Sequence, residues 1–377
     1  MNFIFFANVV ALLFSSFVVG AIFGALFSPN IRGRLSLSRS AHNPILRPEL
    51  HPWSAEAVLN PAAAVFGGRT HLIYRAIGMD GTSRLGYASS ADGIVFDEQL
   101  PYPIFLVQKS SPIPESLRRY SPVMYPSGGS WGGCEDPRMV TIGGIVYVTF
   151  NMFENWLLRV GFISMSEKDF LAKRFYKWDG PYKLSHGTRD KNWVLFPEKI
   201  NGQFAVLHSI IGDTADRVRI EYTDDLKTLS QRTFESPDPQ QVPDRPIAWH
   251  VHVRSAGPPP VRTDKGWLVL YHAHTARESY KYQLGAMLLD LNDPTRILHR
   301  AVAPVLSPDA QYENHGKPGI VYACGAVVDG PCGDTLFVYY GGADKVVCAA
   351  TAPLREFLDT LIEGDRASLT PHSVLIT

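Results

Sequence analysis

The sequence predicts an all-β fold, a five-bladed β-propeller, with an N-terminal transmembrane helix ahead of it. A strand–turn–strand pattern recurs five times after Ala55. Gly (31) and Pro (28) are frequent, as many short strands joined by tight turns require. Phe3 to Phe27 carries no charge and is long enough to cross a bilayer. The chain of 377 residues is 45% hydrophobic, enough for one large β domain with its own core. The expected organisation is a membrane-spanning segment over 1–28, a polar linker over 29–55, and the propeller over 56–377.

Nothing basic precedes the apolar run, whereas Arg32, Arg34, Arg39 and Arg47 follow it. The positive-inside rule then places the globular part in the cytoplasm, anchored through residues 3–27. The equal alternative is an upstream extension of a soluble chain that begins near Ser38. Basic and acidic residues balance at 36 each, so there is no excess charge to neutralise a nucleic-acid backbone. The four cysteines form no disulfide framework and no close pair, which speaks against structural zinc and for reduced thiols.

The five copies turn at Gly67-Gly68, Gly143-Gly144, Asn201-Gly202, Lys265-Gly266 and Gly330 to Asp334, each between apolar runs. Measured at Tyr74, Phe150, Leu207, Tyr271 and Tyr339 they lie 57 to 76 residues apart, room for four strands each. Leu354 to Ile362 and Ser166 to Lys173 are the helical signals. The second strand of each copy ends on a polar residue: Arg75, Asn151, His208, His272 and, after the fifth, Asp344. One such residue is most simply a satisfied structural group. Five at one place in five repeats predict a convergent ligand site.

The chemistry centres on Gly132-Gly133-Cys134-Glu135-Asp136-Pro137-Arg138. Successive strand residues point opposite ways, so one carboxylate faces the site and the other braces a neighbour. Glycosidic cleavage needs an acid for the leaving oxygen. A buried carboxyl can supply it by keeping its proton near neutral pH. On spacing alone, a turn-capping Asp136 partnered by Arg138 explains the motif equally well.

The motif resembles the signature of glycoside hydrolase family 130, the β-mannoside phosphorylases and related mannosidases. So do Asn60-Pro61-Ala62-Ala63 with Tyr74-Arg75, and Lys191-Asn192 with Leu195 to Lys199 and Leu207-His208. Gly257-Pro258-Pro259-Pro260 with Gly266-Trp267 and Tyr271-His272, and Tyr339 to Asp344, complete the likeness over Asn43 to Ile362. The resemblance implies a five-bladed propeller and inversion at the anomeric carbon. Asp136 would be the acid, its proton travelling through the 3-hydroxyl of the bound mannose. Asp344 would hold sugar hydroxyls. Asn60, Arg75 and His272 would line the subsite, with Arg138, His208 and Tyr340 among the substrate-binding residues. It implies a β-mannoside oligosaccharide or glycan as partner, no metal and no cofactor, with inorganic phosphate as co-substrate in the phosphorylases.

The chain departs from the family where phosphate would bind. Lys191 keeps a basic position, but Ser209 and Val253 stand where Arg and Lys are expected. His252 and Arg254 are the substitutes at hand, with His250 nearby. If phosphate cannot bind, water is the nucleophile and a second carboxylate must act as base; Glu313 is the first choice. Phosphorolysis and hydrolysis stand even. An arabinan- or fructan-type glycosidase would need a base Asp where this chain has Asn60 and Arg75. A sugar-binding propeller without turnover is disfavoured by Asp136 and Asp344 together.

Overall fold

Left-handed turns set the strand pairs. Gly67 and Gly68 have φ of 59° and 75°, and Gly143 and Gly144 repeat those values. Two successive positive-φ residues match the twist of a two-residue hairpin, and glycine reaches that conformation without steric cost. They join Ala57–Phe66 to Arg69–Ile77 and Gly132–Ile142 to Ile145–Glu154. The computed structural model describes residues 35–369 apart from 108–113, 155–156, 187–189, 209–217, 232–248, 250–251, 276 and 331–332.

Among the described residues the strands form four sheets, of eight, three, five and four strands. The expected fold class is corrected here. Instead of five separate four-stranded blades, the first two repeats are fused, and no closed propeller is defined by the sheets. The fusion is a short parallel pairing of Thr82 with Gly132 and Ser83 with Gly133. It is possible because Gly133 lies against Ser83, where a Cβ would come within 2.1 Å of the carbonyl oxygen. The expected membrane helix falls on residues outside those described. Among the described residues, no helix is long and apolar enough to cross a membrane.

The four-stranded sheet takes its outer strand, Ser38–Arg39, from the start of the described chain; it pairs with Val346–Pro353. Leu37 packs in a core with Leu268, Leu270 and Leu288 of the five-stranded sheet and Leu336 and Val338 of the four-stranded one. Phe357, Leu358 and Leu361 of the C-terminal helix Leu354–Leu369 join this core. A second core sets Val194, Ala205 and Leu207 of the three-stranded sheet against Trp267, Val269 and Met287 of the five-stranded one. The helix signal near Ser166 resolves as Glu167–Leu171, with the Ser166 side chain accepting from the Asp169 amide.

Candidate active site

The site is built from bulges. Pairing of Ala57–Phe66 with Arg69–Ile77 shifts register between Leu59 and Ala62, and pairing of Gly132–Ile142 with Ile145–Glu154 shifts between Glu135 and Arg138. Each bulge holds an Asn or Asp followed by proline, Asn60-Pro61 and Asp136-Pro137. Asn60 and Asp136 adopt φ of 49° and 52°. Asn and Asp tolerate this left-handed region best among residues with a Cβ, and proline cannot donate to the ladder, so both bulges are written in the sequence. Asp344 reaches the same region from a hairpin tip, with φ of 52°.

Asn60, Asp136 and Asp344 line one cavity of about 410 Å³ with Arg75, Lys191 and Lys317. Arg75 is buried and ties the cavity together. Its guanidinium donates to Asp136 Oδ1 at 3.2 Å and Glu135 Oε1 at 2.9 Å, and to Ser83 Oγ at 2.9 Å. Asn60 Nδ2 donates to Asp136 Oδ1 at 2.7 Å. Glu135 lies behind the cavity, fully buried, and accepts from Ser127 Oγ at 2.8 Å and Lys191 Nζ at 3.3 Å. Lys317 Nζ lies 3.4 Å from Asp344 Oδ2.

The two cavity carboxyls are pushed apart. Burial opposes ionisation of Asp136, but Arg75, Lys191 and Arg138 outweigh it and hold this carboxyl below the usual carboxylate range. Burial pushes Asp344 up, and the Asp136 charge adds to that push, against Lys317 and Arg75. Burial, which by itself favours the protonated carboxyl, is outweighed at Asp136 by the three cations around it.

Of the residues singled out by sequence, Asn60, Arg75, Asp136, Lys191 and Asp344 come together here. The others do not. Arg138 is buried as a brace, donating to the Asp136 carbonyl at 2.6 Å, Asn192 Oδ1 at 3.0 Å and the Gly257 carbonyl at 3.2 Å. His208 bonds Glu221 through Nε2 at 3.0 Å and stacks on Trp193 at 3.8 Å. His272 is fully buried one layer behind the wall. Tyr340 donates to Glu313 Oε1 at 2.8 Å. Glu313 is fully buried and held by Arg39, with its Oε2 also accepting the Ala310 amide at 2.8 Å. Its acceptor sites are filled away from the cavity, so the structure does not bring the expected base to Asp136. His252 and Arg254 lie on His252–Ala256, with their side chains outside what is described, as are Ser209 and His250.

Sequence reasoning missed Ser127, Asn192, Ser255, Lys317 and Tyr322, all of which line the cavity. Asn192, at φ 60°, carried a signal, since asparagine, as at Asn60, tolerates the left-handed region. Ser255 and Tyr322 carried none, being ordinary strand residues.

A polar cavity with two carboxyls and three cations, set on an all-β frame, suits the hydroxyl-rich ligand of a carbohydrate-active enzyme. The family model described as β-1,4-mannooligosaccharide phosphorylase matches residues 37–363, so the chain belongs to glycoside hydrolase family 130, enzymes that act on β-mannosides. It is 34% identical to a 1,2-β-oligomannan phosphorylase of Thermoanaerobacter sp. (strain X514), over 85% of this chain and 99% of that protein. It is 28% identical to a β-1,4-mannooligosaccharide phosphorylase of Ruminococcus albus, over 61% of this chain and 65% of the relative. Its fold matches the β-1,2-mannobiose phosphorylase of Listeria innocua solved with β-1,2-mannobiose, with a TM-score of 0.63 and 24% identity, over 86% and 99% of the two chains.

Proposed function

We propose that this enzyme is an inverting phosphorylase of β-1,2-linked mannosides, with phosphate as nucleophile and Asp136 as the acid. The observation that carries this reading is the placement of cations and carboxyls. Lys191 and Lys317 reach the cavity that holds Asp136, whereas Glu313, the base that hydrolysis would need, is locked in an ion pair elsewhere. A phosphate dianion in such a cavity needs charged donors, and water attack needs a second carboxylate roughly 6.5–9.5 Å from the acid. In this reading Lys191 holds the anion, with His252 and Arg254 as further contacts on a neighbouring strand. Asn60, Arg75 and Asp344 hold the mannose. The β-1,2 preference rests on the relative aligned over nearly its whole length.

A phosphate oxygen attacks the anomeric carbon from the face opposite the leaving sugar. The C1–O bond breaks, its electron pair staying on the leaving oxygen. That oxygen takes a proton that originates on Asp136 and passes through the 3-hydroxyl. The products are α-mannose 1-phosphate and a glycan one sugar shorter. Phosphate also prepares the acid. Negative charge beside Lys191 offsets the cations that keep Asp136 ionised, and its proton affinity rises.

Incubation of the purified chain with β-1,2- and β-1,4-mannobiose, with and without inorganic phosphate, tests this reading. Mannose 1-phosphate is expected only with phosphate, and faster from the β-1,2 disaccharide. Free mannose released at the same rate in phosphate-free buffer would rule out phosphorolysis, and faster turnover of the β-1,4 disaccharide would reverse the linkage.

A further inference from the structure

His272, Ser255 and Tyr322 form a hydrogen-bonded chain in which His272 is the donor to Ser255. The Ala323 backbone amide lies 2.9 Å from His272 Nε2. A backbone amide can only donate, so Nε2 carries no proton. Burial, reinforced by the Arg138 charge, lowers the His272 pKa to about 3, so the ring is neutral and its one proton sits on Nδ1. Nδ1 lies 3.0 Å from Ser255 Oγ and therefore donates to it. Ser255 Oγ lies 3.1 Å from Tyr322 Oη. Burial raises the Tyr322 pKa, so the phenol keeps its proton as well.

The two hydroxyls own two protons between them and share one hydrogen bond. Neither can donate to His272, whose Nδ1 is already a donor. Whichever hydroxyl donates to the other, one O–H is left over. Both residues line the cavity that holds Asp136 and Lys191. Tyr322 is also held in place by its ring, which stacks on His272 at 4.1 Å with an interplanar angle of 6°.

We propose that Ser255 and Tyr322 present one O–H to an acceptor oxygen of the substrates, and that His272 is the positioning residue that keeps this O–H available by donating to Ser255 instead of accepting from it. The acceptor is an oxygen of inorganic phosphate or of the mannosyl ring. The proposal rests on the reading of this cavity as the site of β-mannoside cleavage. It gives His272 an effect on the ligand without contact, and explains how a residue one layer behind the wall belongs to the site.

The test uses steady-state kinetics on the full chain, with KM measured separately for phosphate and for β-1,2-mannobiose. Tyr322→Phe keeps the stacked ring, but Ser255 could then donate alone, so the informative variant is Ser255→Ala/Tyr322→Phe. Loss of one hydrogen bond to a ligand is expected to raise one of the two KM values about tenfold, with kcat changed less. The KM that moves identifies the oxygen. His272→Ala is expected to raise the same KM in the wild-type background and to add nothing in the double variant. His272→Asn, which keeps an N–H on the Ser255 side, should restore most of it. Melting temperatures within a few degrees of wild type exclude misfolding as the cause. Unchanged KM and kcat in the double variant would overturn the proposal, as would a further KM increase from His272→Ala in that background. Direct binding of both ligands by calorimetry separates the two readings. A wild type that binds neither ligand overturns the site itself, whereas equal binding by wild type and double variant overturns only the hydroxyl pair.

Discussion

Replacing Asp136 by asparagine is expected to lower kcat by about 10²–10⁴-fold, the usual contribution of a general acid, while leaving the fold intact. The surroundings explain both halves. Asparagine keeps an oxygen for the Asn60 amide, which now donates to Oδ1 at 2.7 Å. Arg75 loses one carboxylate but is not stranded, because Glu135, Ser83 and Ser130 still accept from it. What the amide cannot do is release a proton to the leaving oxygen. The deficit should therefore depend on the leaving group. An aryl β-mannoside whose phenol leaves as a stable anion needs little protonation and should recover much of the lost rate. Near wild-type turnover of an unactivated mannobiose by the variant would remove Asp136 from the acid role. A loss that is the same for aryl and disaccharide substrates would assign Asp136 to binding instead.

The sequence made some parts of this protein readable because they rest on local chemistry. Glycine pairs at Gly67-Gly68 and Gly143-Gly144 mark hairpins, since positive φ at both positions closes a two-residue turn whose twist matches the strands. Asn60-Pro61 and Asp136-Pro137 interrupt apolar strands with a residue that cannot join the ladder, and both became bulges at the cavity. The number of sheets was not readable, because eight strands are joined through two residue pairs at Thr82 and Ser83 that carry no pattern of their own. Lys317, Ser255 and Tyr322 were missed because nothing in their neighbourhood distinguishes a cavity-lining residue from any other. Arg138 and His272 were expected to line the cavity and do not. Their residue types suit ligand contact, and only the packing shows that each is occupied by other protein groups.

Glu313 shows the same limit on a larger scale. In the sequence it is an acidic residue in a polar loop; its partner Arg39 stands far earlier, on the short strand Ser38–Arg39. In the fold Arg39 Nε and Nη2 each meet a Glu313 oxygen at 2.8 Å, and Tyr340 Oη adds a third donor at 2.8 Å. Removing one partner of such a pair leaves a buried charge unpaired, which typically costs about 3–5 kcal/mol. Arg39→Ala is therefore expected to lower Tm by an amount on the order of 10 °C. A chain beginning at Leu35 should keep wild-type stability. A chain beginning at Ser40 should lose at least as much as Arg39→Ala, since it also lacks the strand paired with Val346–Pro353. Glu313→Gln separates structure from chemistry. It should lower Tm while kcat of the folded enzyme stays within about twofold of wild type, because the carboxylate holds a strand and not a nucleophilic water. If Glu313→Gln instead melts at the wild-type temperature and loses kcat by 100-fold or so, as removal of a general base would, the carboxylate does reach the reaction and water returns as the nucleophile.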